Sequence, residues 1–136
     1  MSCELCDHPG GTLLWQDEWC RVVLVDDTDY PGLCRVIWNH HIKEMTDLSP
    51  SQRQHFMATV FEVEAALREV LQPEKINLAS LGNLTPHLHW HVIARYPHDK
   101  HYPQPIWGTA QREGKSSLPL DWKALLIESV RLKLKS

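Results

Sequence analysis

Residues 87 to 93 read His-Leu-His-Trp-His-Val-Ile, and this alternation constrains the fold more than any other feature of the chain. Period two is the period of a β-strand, in which residues i, i+2 and i+4 share one face. His87, His89 and His91 therefore line one side of a strand, spaced about 6.5–7 Å apart. Leu88, Trp90 and Val92 line the other side and are expected to face a core. Imidazole is the usual acid/base group and metal ligand near neutral pH. Three imidazoles in register mark a site rather than an ordinary surface.

The rest of the chain supplies the core that such a strand needs. Its 136 residues are the length of one domain, expected to span 1–136, and 43% of them are hydrophobic. A net charge of −3 gives no basic footprint for nucleic acid. No run approaches the roughly 20 apolar residues of a membrane span. The first residues lack the basic start and apolar stretch of a signal peptide, so a cytoplasmic location is expected. Four cysteines in that setting do not suggest a disulfide framework. Cys20 and Cys34 lie in apolar runs and read as inert core thiols.

Thr12–Trp15 and Cys20–Val25 read as a hairpin of strands, followed by an acidic loop, 26–32, and a further strand, Leu33–Trp38. Ser49, Pro50 and Gln52 form a helix-start signature. That helix is expected to run to about Leu71, with Phe56, Val60, Val63, Leu67 and Val70–Leu71 at helical spacing before Pro73. Lys75–Leu81 reads as a strand, Gly82–Pro86 as a turn and His87–Arg95 as the histidine strand. A loop over 97–118 precedes a helix over Leu120–Leu134, with Trp122, Leu125, Leu126 and Val130 expected on one side. Arg95 reads as a solvated strand end and His55 as a surface residue of the long helix. Strands around a long helix predict an antiparallel α+β domain.

The pattern His-φ-His-φ-His-φ-φ, with φ apolar, resembles the signature of the histidine triad (HIT) family of nucleotide hydrolases and transferases. The segment Asn77–Pro86 resembles the glycine- and amide-containing stretch before that family's triad. Pro31–His41 resembles its earlier strand, which ends at a histidine, and the resemblance covers about residues 1–110. Pro103-Gln104-Pro105-Ile106-Trp107 resembles a segment of a bacterial branch, expected to line the site or a dimer contact. The family implies a five-stranded antiparallel sheet with a long central helix and a C-terminal helix, paired as a homodimer. The C-terminal half is the natural place for that pairing.

The resemblance implies that His89, the middle triad histidine, is a nucleophile toward an α-phosphate, and that His91 contacts the phosphate. A nucleotidyl-histidine intermediate would split one displacement into two. Asn83 and the backbone at Gly82 are the remaining candidate donors for phosphate oxygens. The family commonly has Gln where Asn83 stands, so the amide here reaches about one methylene less far. A bland alternative for His91 and Asn83 is to orient His89 or cap the turn. Asn77 matches an amide that meets ribose or phosphate. Asp26 lies near the family's ribose-binding residue, with Asp27 in competition and a solvated turn as the plain alternative.

Cys3-Glu4-Leu5-Cys6 has metal-ligand spacing, although a lone Cys-x-x-Cys also fits a redox pair. Relatives with these cysteines complete a zinc sphere with the first triad histidine and the histidine after the earlier strand. These positions match His87 and His41, with His40 and His8 as substitutes. Four such ligands close a tetrahedral, structural zinc site. Two functions of other classes remain open: a zinc-dependent hydrolase using all three histidines as ligands, and a nucleotide-binding protein without turnover. The first of these would normally recruit a carboxylate, and the histidine run contains none.

Overall fold

The computed structural model describes residues 3–135. A four-residue helix, α1 (Glu4–Asp7), precedes the hairpin β1 (Thr12–Gln16) and β2 (Cys20–Leu24). Then come β3 (Cys34–Trp38), α2 (Pro50–Leu71), β4 (Lys75–Ala79), β5 (His89–Arg95) and α3 (Trp122–Lys133). The five strands form one antiparallel sheet in the order β1-β2-β3-β5-β4. The expected α+β architecture, with its long central and C-terminal helices, is what the chain adopts.

Local chemistry sets the long helix. The Ser49 hydroxyl accepts from the Gln52 backbone N–H at 3.2 Å, and the Gln52 side chain accepts from the Ser49 N–H at 2.9 Å. This reciprocal cap satisfies two donors that the helix start would otherwise leave unpaired. Phe56, Val60, Val63, Leu67 and Leu71 recur at helical spacing and are buried. They cover one face of the sheet, against Val22, Cys34, Val36, Trp38 and Val92. Gln72 then turns left-handed, at φ 48°, just before Pro73.

The period-two pattern has its predicted consequence. Leu88 and Val92 join the core beneath α2, and Trp90 packs against it with its indole N–H on the Met45 sulfur at 3.4 Å. The opposite face carries His89, His91 and Arg95 of β5. It continues with Arg35 and Ile37 of β3, opposite His91 and His89, and Arg21 and Val23 of β2. This second face is covered thinly. Leu5 of α1 packs on Val23 and Ile37, while Tyr30, Leu33 and Ile106 gather around Ile93.

Four expectations are corrected. The histidine strand begins at His89, two residues later than expected, because its partner β3 ends at Trp38. Leu88 still exchanges backbone hydrogen bonds with Trp38 and Ile42. β4 stops at Ala79 rather than Leu81; beyond it Gly82 takes φ +80°, where a side chain would be strained. In α3 the buried stripe is Leu126, Ser129 and Val130, whereas Leu125, about 100° around the helix from Leu126, is exposed. Arg95 is no solvated strand end: it is 2% exposed, and two of its nitrogens bond Asp99 at 2.8 and 3.1 Å. Burial alone would raise the Asp99 carboxyl, but Arg95 and the N–H groups of Tyr96 and Tyr102 outweigh it and hold Asp99 at about 2. This pair fastens the root of the loop over 97–118 to the sheet. His55 is likewise engaged, bonding Asp17 at 2.6 Å and meeting the Trp19 ring edge-on.

Candidate functional site

His89 is the best-oriented histidine of the sheet. It is buried, and its Nδ1 lies 2.6 Å from the carbonyl oxygen of His87, two residues before it. A carbonyl only accepts, so Nδ1 carries the proton and Nε2 presents a lone pair. Burial holds the ring below its usual proton affinity, with the hydrogen bond to His87 opposing, so the neutral form prevails at pH 7. The Ser80 hydroxyl donates to the backbone oxygen of His89 at 2.7 Å and pins the strand from the other side. Neutral, buried and fixed in one tautomer, this imidazole has the attributes of a nucleophile.

His89 borders a cleft of about 680 Å³ that is also lined by Ser80, Gly82, Asn83 and Lys43. Gly82 and Asn83 thus border the same cleft as His89. His91 is next along the strand, its ring 5.0 Å from that of His89, and the edge of Trp107 closes on it at 5.0 Å. Burial, then the neighbouring His89 and Arg35, push His91 down to about 4. Its Nδ1 is buried without a hydrogen-bond partner. A neutral ring with an unused nitrogen beside His89 is free to meet a ligand.

Asn77 and Asp26 have surroundings of their own. The Asn77 side-chain oxygen accepts from Arg95 at 2.8 Å, so this amide belongs to the buried arginine cluster. Asp26 lines a hollow of about 240 Å³ with Thr28, Trp122 and Lys123. Asp27 lines the same hollow and caps the backbone N–H of Asp29. Reasoning from sequence missed Ser80 and the Arg95–Asp99 cluster. A hydroxyl beside a strand end and a pair four residues apart across a bend leave no periodic trace.

Cys3, Cys6, His41 and His87 come together although 81 to 84 residues separate the cysteines from His87. Their donor atoms all lie within 4.8 Å of one another. The His87 Nδ1 is 3.3 Å from the Cys3 sulfur and 3.4 Å from the Cys6 sulfur, and the His41 Nδ1 is 3.4 Å from Cys6. Sulfur and nitrogen ligands at opposite ends of a tetrahedral edge around one zinc stand about 3.6 Å apart, from Zn–S near 2.3 Å and Zn–N near 2.0–2.1 Å. The His87 Nε2 lies 2.6 Å from the Trp38 carbonyl oxygen, which places the proton there and leaves Nδ1 a lone pair for a metal. The donor set fits a metal, and a sulfur-rich set fits zinc. His40 and His8 are outside it. A second group of donors, Asp17, Cys20 and His55, fits poorly. Asp17 is already bonded on both oxygens, and burial pushes the Cys20 thiol up to about 12.

A strand of alternating histidines, one of them fixed by the backbone of another, on a five-stranded antiparallel sheet defines a histidine triad protein. The HIT domain family model matches residues 10–98, and the chain belongs to that family. It is similar to a histidine triad protein of Bradyrhizobium japonicum, at 27% identity and a TM-score of 0.77, covering 98% of this chain and 96% of that one. A histidine triad (HIT) protein of Sinorhizobium meliloti gives 27% identity and a TM-score of 0.75 over the same shares. A Zn-bound histidine triad family protein of Mycobacterium smegmatis shares the fold at 22% identity and a TM-score of 0.68, covering 97% and 95%. No curated protein matches the chain. Family membership makes this a protein of the nucleotide hydrolase and transferase kind, a kind that includes non-catalytic members. No helix among the described residues is long and apolar enough to cross a membrane.

Proposed function

We propose that the protein cleaves small nucleotide derivatives at the α-phosphate, through a nucleotidyl-histidine intermediate on His89. The observation that carries this reading is the 2.6 Å contact of His89 Nδ1 with the His87 oxygen, which leaves Nε2 as the reacting atom. Nε2 attacks phosphorus, a P–N bond forms, and the bond to the leaving group breaks with its electron pair. The leaving group takes up a proton. Water then attacks the same phosphorus, the P–N bond breaks, a proton passes to solvent and a nucleoside monophosphate departs. Nucleoside phosphoramidates, dinucleoside polyphosphates and nucleotidyl adducts share this chemistry. His91, Asn83 and the backbone at Gly82 meet the phosphate oxygens in this reading. Asp26 is the candidate for the ribose in this reading, and Asn77, whose side-chain oxygen also accepts from Arg95, for the ribose or phosphate.

Cys3, Cys6, His41 and His87 hold zinc in the same reading, and the Zn-bound relative supports it. Bound there, zinc supplies cross-linking between α1, the end of β3 and the approach to β5; four protein ligands leave no position for water. In this reading the protein acts in the cytoplasm, and it acts as a homodimer, the state the family implies. A zinc hydrolase built on all three histidines is disfavoured by one observation. Of the triad, only His87 belongs to a cluster of metal donors among the described residues.

Adenosine 5′-phosphoramidate is the test substrate. Release of AMP and ammonia in proportion to protein is expected. If AMP binds but neither the phosphoramidate nor diadenosine triphosphate is ever cleaved, the protein is a nucleotide-binding member without turnover.

A further inference from the structure

Three arginines share the histidine-bearing face of the sheet, and two are fully occupied. Arg21 donates to the backbone oxygens of Leu5, His8 and Pro9 and to Asn39. Arg95 donates to Asp99, Asn77 and the Gln104 oxygen. Arg35 differs. Its Nε is buried without a partner, and its only protein hydrogen bond among the described residues is a long one, 3.4 Å, from Nη1 to the Gly10 oxygen. No ion pair among those residues includes it. It is nevertheless half-buried, on the central strand of the sheet.

Its neighbours are the groups that face the reaction. Arg35 stands directly across from His91, in register, one step from the Ile37–His89 pair. His91 is 8% exposed and also has an unused buried nitrogen. Burial, then His89 and Arg35, keep the His91 ring neutral. Gly10 allows the turn over Arg35 to lie close: a Cβ there would come within 2.8 Å of Leu5 and 3.0 Å of Ile37. A half-buried cation with unspent donors, next to an imidazole with an unspent nitrogen, is costly for a resting fold. An anion resolves both deficits.

We propose that Arg35 is a phosphoryl ligand: it holds the non-bridging oxygens of the substrate phosphate against His91 while His89 attacks. This rests on the nucleotide reading of the site. A guanidinium offers several donors in a planar fork that matches phosphate oxygens. In the first displacement its charge also opposes the negative charge that spreads over those oxygens.

Binding in a protein blocked at the nucleophile, His89→Asn, separates this role from catalysis. AMP and adenosine are the probes, measured by calorimetry with Arg35 intact, with Arg35→Gln and with Arg35→Lys. Loss of one charge-assisted contact predicts AMP binding about 10- to 100-fold weaker in Arg35→Gln, with adenosine changed less than about threefold. Arg35→Lys, which keeps the charge but not the fork, restores part of the loss. Equal losses for AMP and adenosine would overturn the proposal and make Arg35 a support of the fold or a contact of the nucleoside. No loss for either would overturn it also. If AMP fails to bind even with Arg35 intact, the nucleotide reading itself falls, and this inference with it.

Discussion

Replacing His89 with Ala is expected to lower turnover of adenosine 5′-phosphoramidate by at least about a thousandfold, the scale on which removal of a covalent nucleophile is felt. AMP affinity should change by less than about tenfold, because binding rests on other donors. The contrast matters more than either number. A histidine that merely bound phosphate would lose affinity and rate together. One whose Nε2 forms the P–N bond loses the rate and keeps the binding. Steady-state kinetics beside calorimetry read the two quantities. A His89→Ala protein that retains a tenth of the wild-type rate would remove His89 from the chemistry.

The second large effect concerns the metal. Cys3→Ser, Cys6→Ser and the double variant are expected to lose zinc and to lower the melting temperature by at least about 10 °C, since binding free energy at a closed site is folding free energy. Turnover should fall as well, chiefly in kcat. His87 contributes its ring to the cysteine–histidine cluster and its backbone oxygen to His89, so loosening the one disturbs the other. Metal content by mass spectrometry, thermal unfolding and kcat give three readouts. A wild-type protein purified without zinc, together with cysteine variants that melt and turn over as wild type does, would show that these four residues form no metal centre.

What was legible in the sequence follows a physical division. Period-two and helical patterns are local, so β5, α2 and the core sides of both were readable from Leu88, Val92, Phe56 and Val60. The capping residues Ser49, Pro50 and Gln52 named the start of α2 to the residue. The Cys3, Cys6, His41 and His87 cluster joins positions 35 and 84 residues apart, beyond any local pattern, and became visible only through the family resemblance. Burial of charge was the main blind spot. Arg95 looked solvated because its compensating partners, Asp99, Asn77 and the Gln104 oxygen, are supplied by a loop and a neighbouring strand. Arg35 did carry a signal: it is the one charged residue in Leu33–Trp38, in phase with the histidine face once β3 and β5 pair. Asn77 was matched by sequence position alone, and position does not say that Arg95 also takes its amide oxygen.

The most direct test of the central claim is intact-mass spectrometry of the protein quenched in acid-free conditions during turnover of adenosine 5′-phosphoramidate, wild type beside His89→Asn. The account predicts a fraction of wild-type chains heavier by one adenylyl group, the added mass mapping to His89, and none in the variant. Turnover by the wild type with no adduct at any quench time, or the same adduct on His89→Asn, would contradict it.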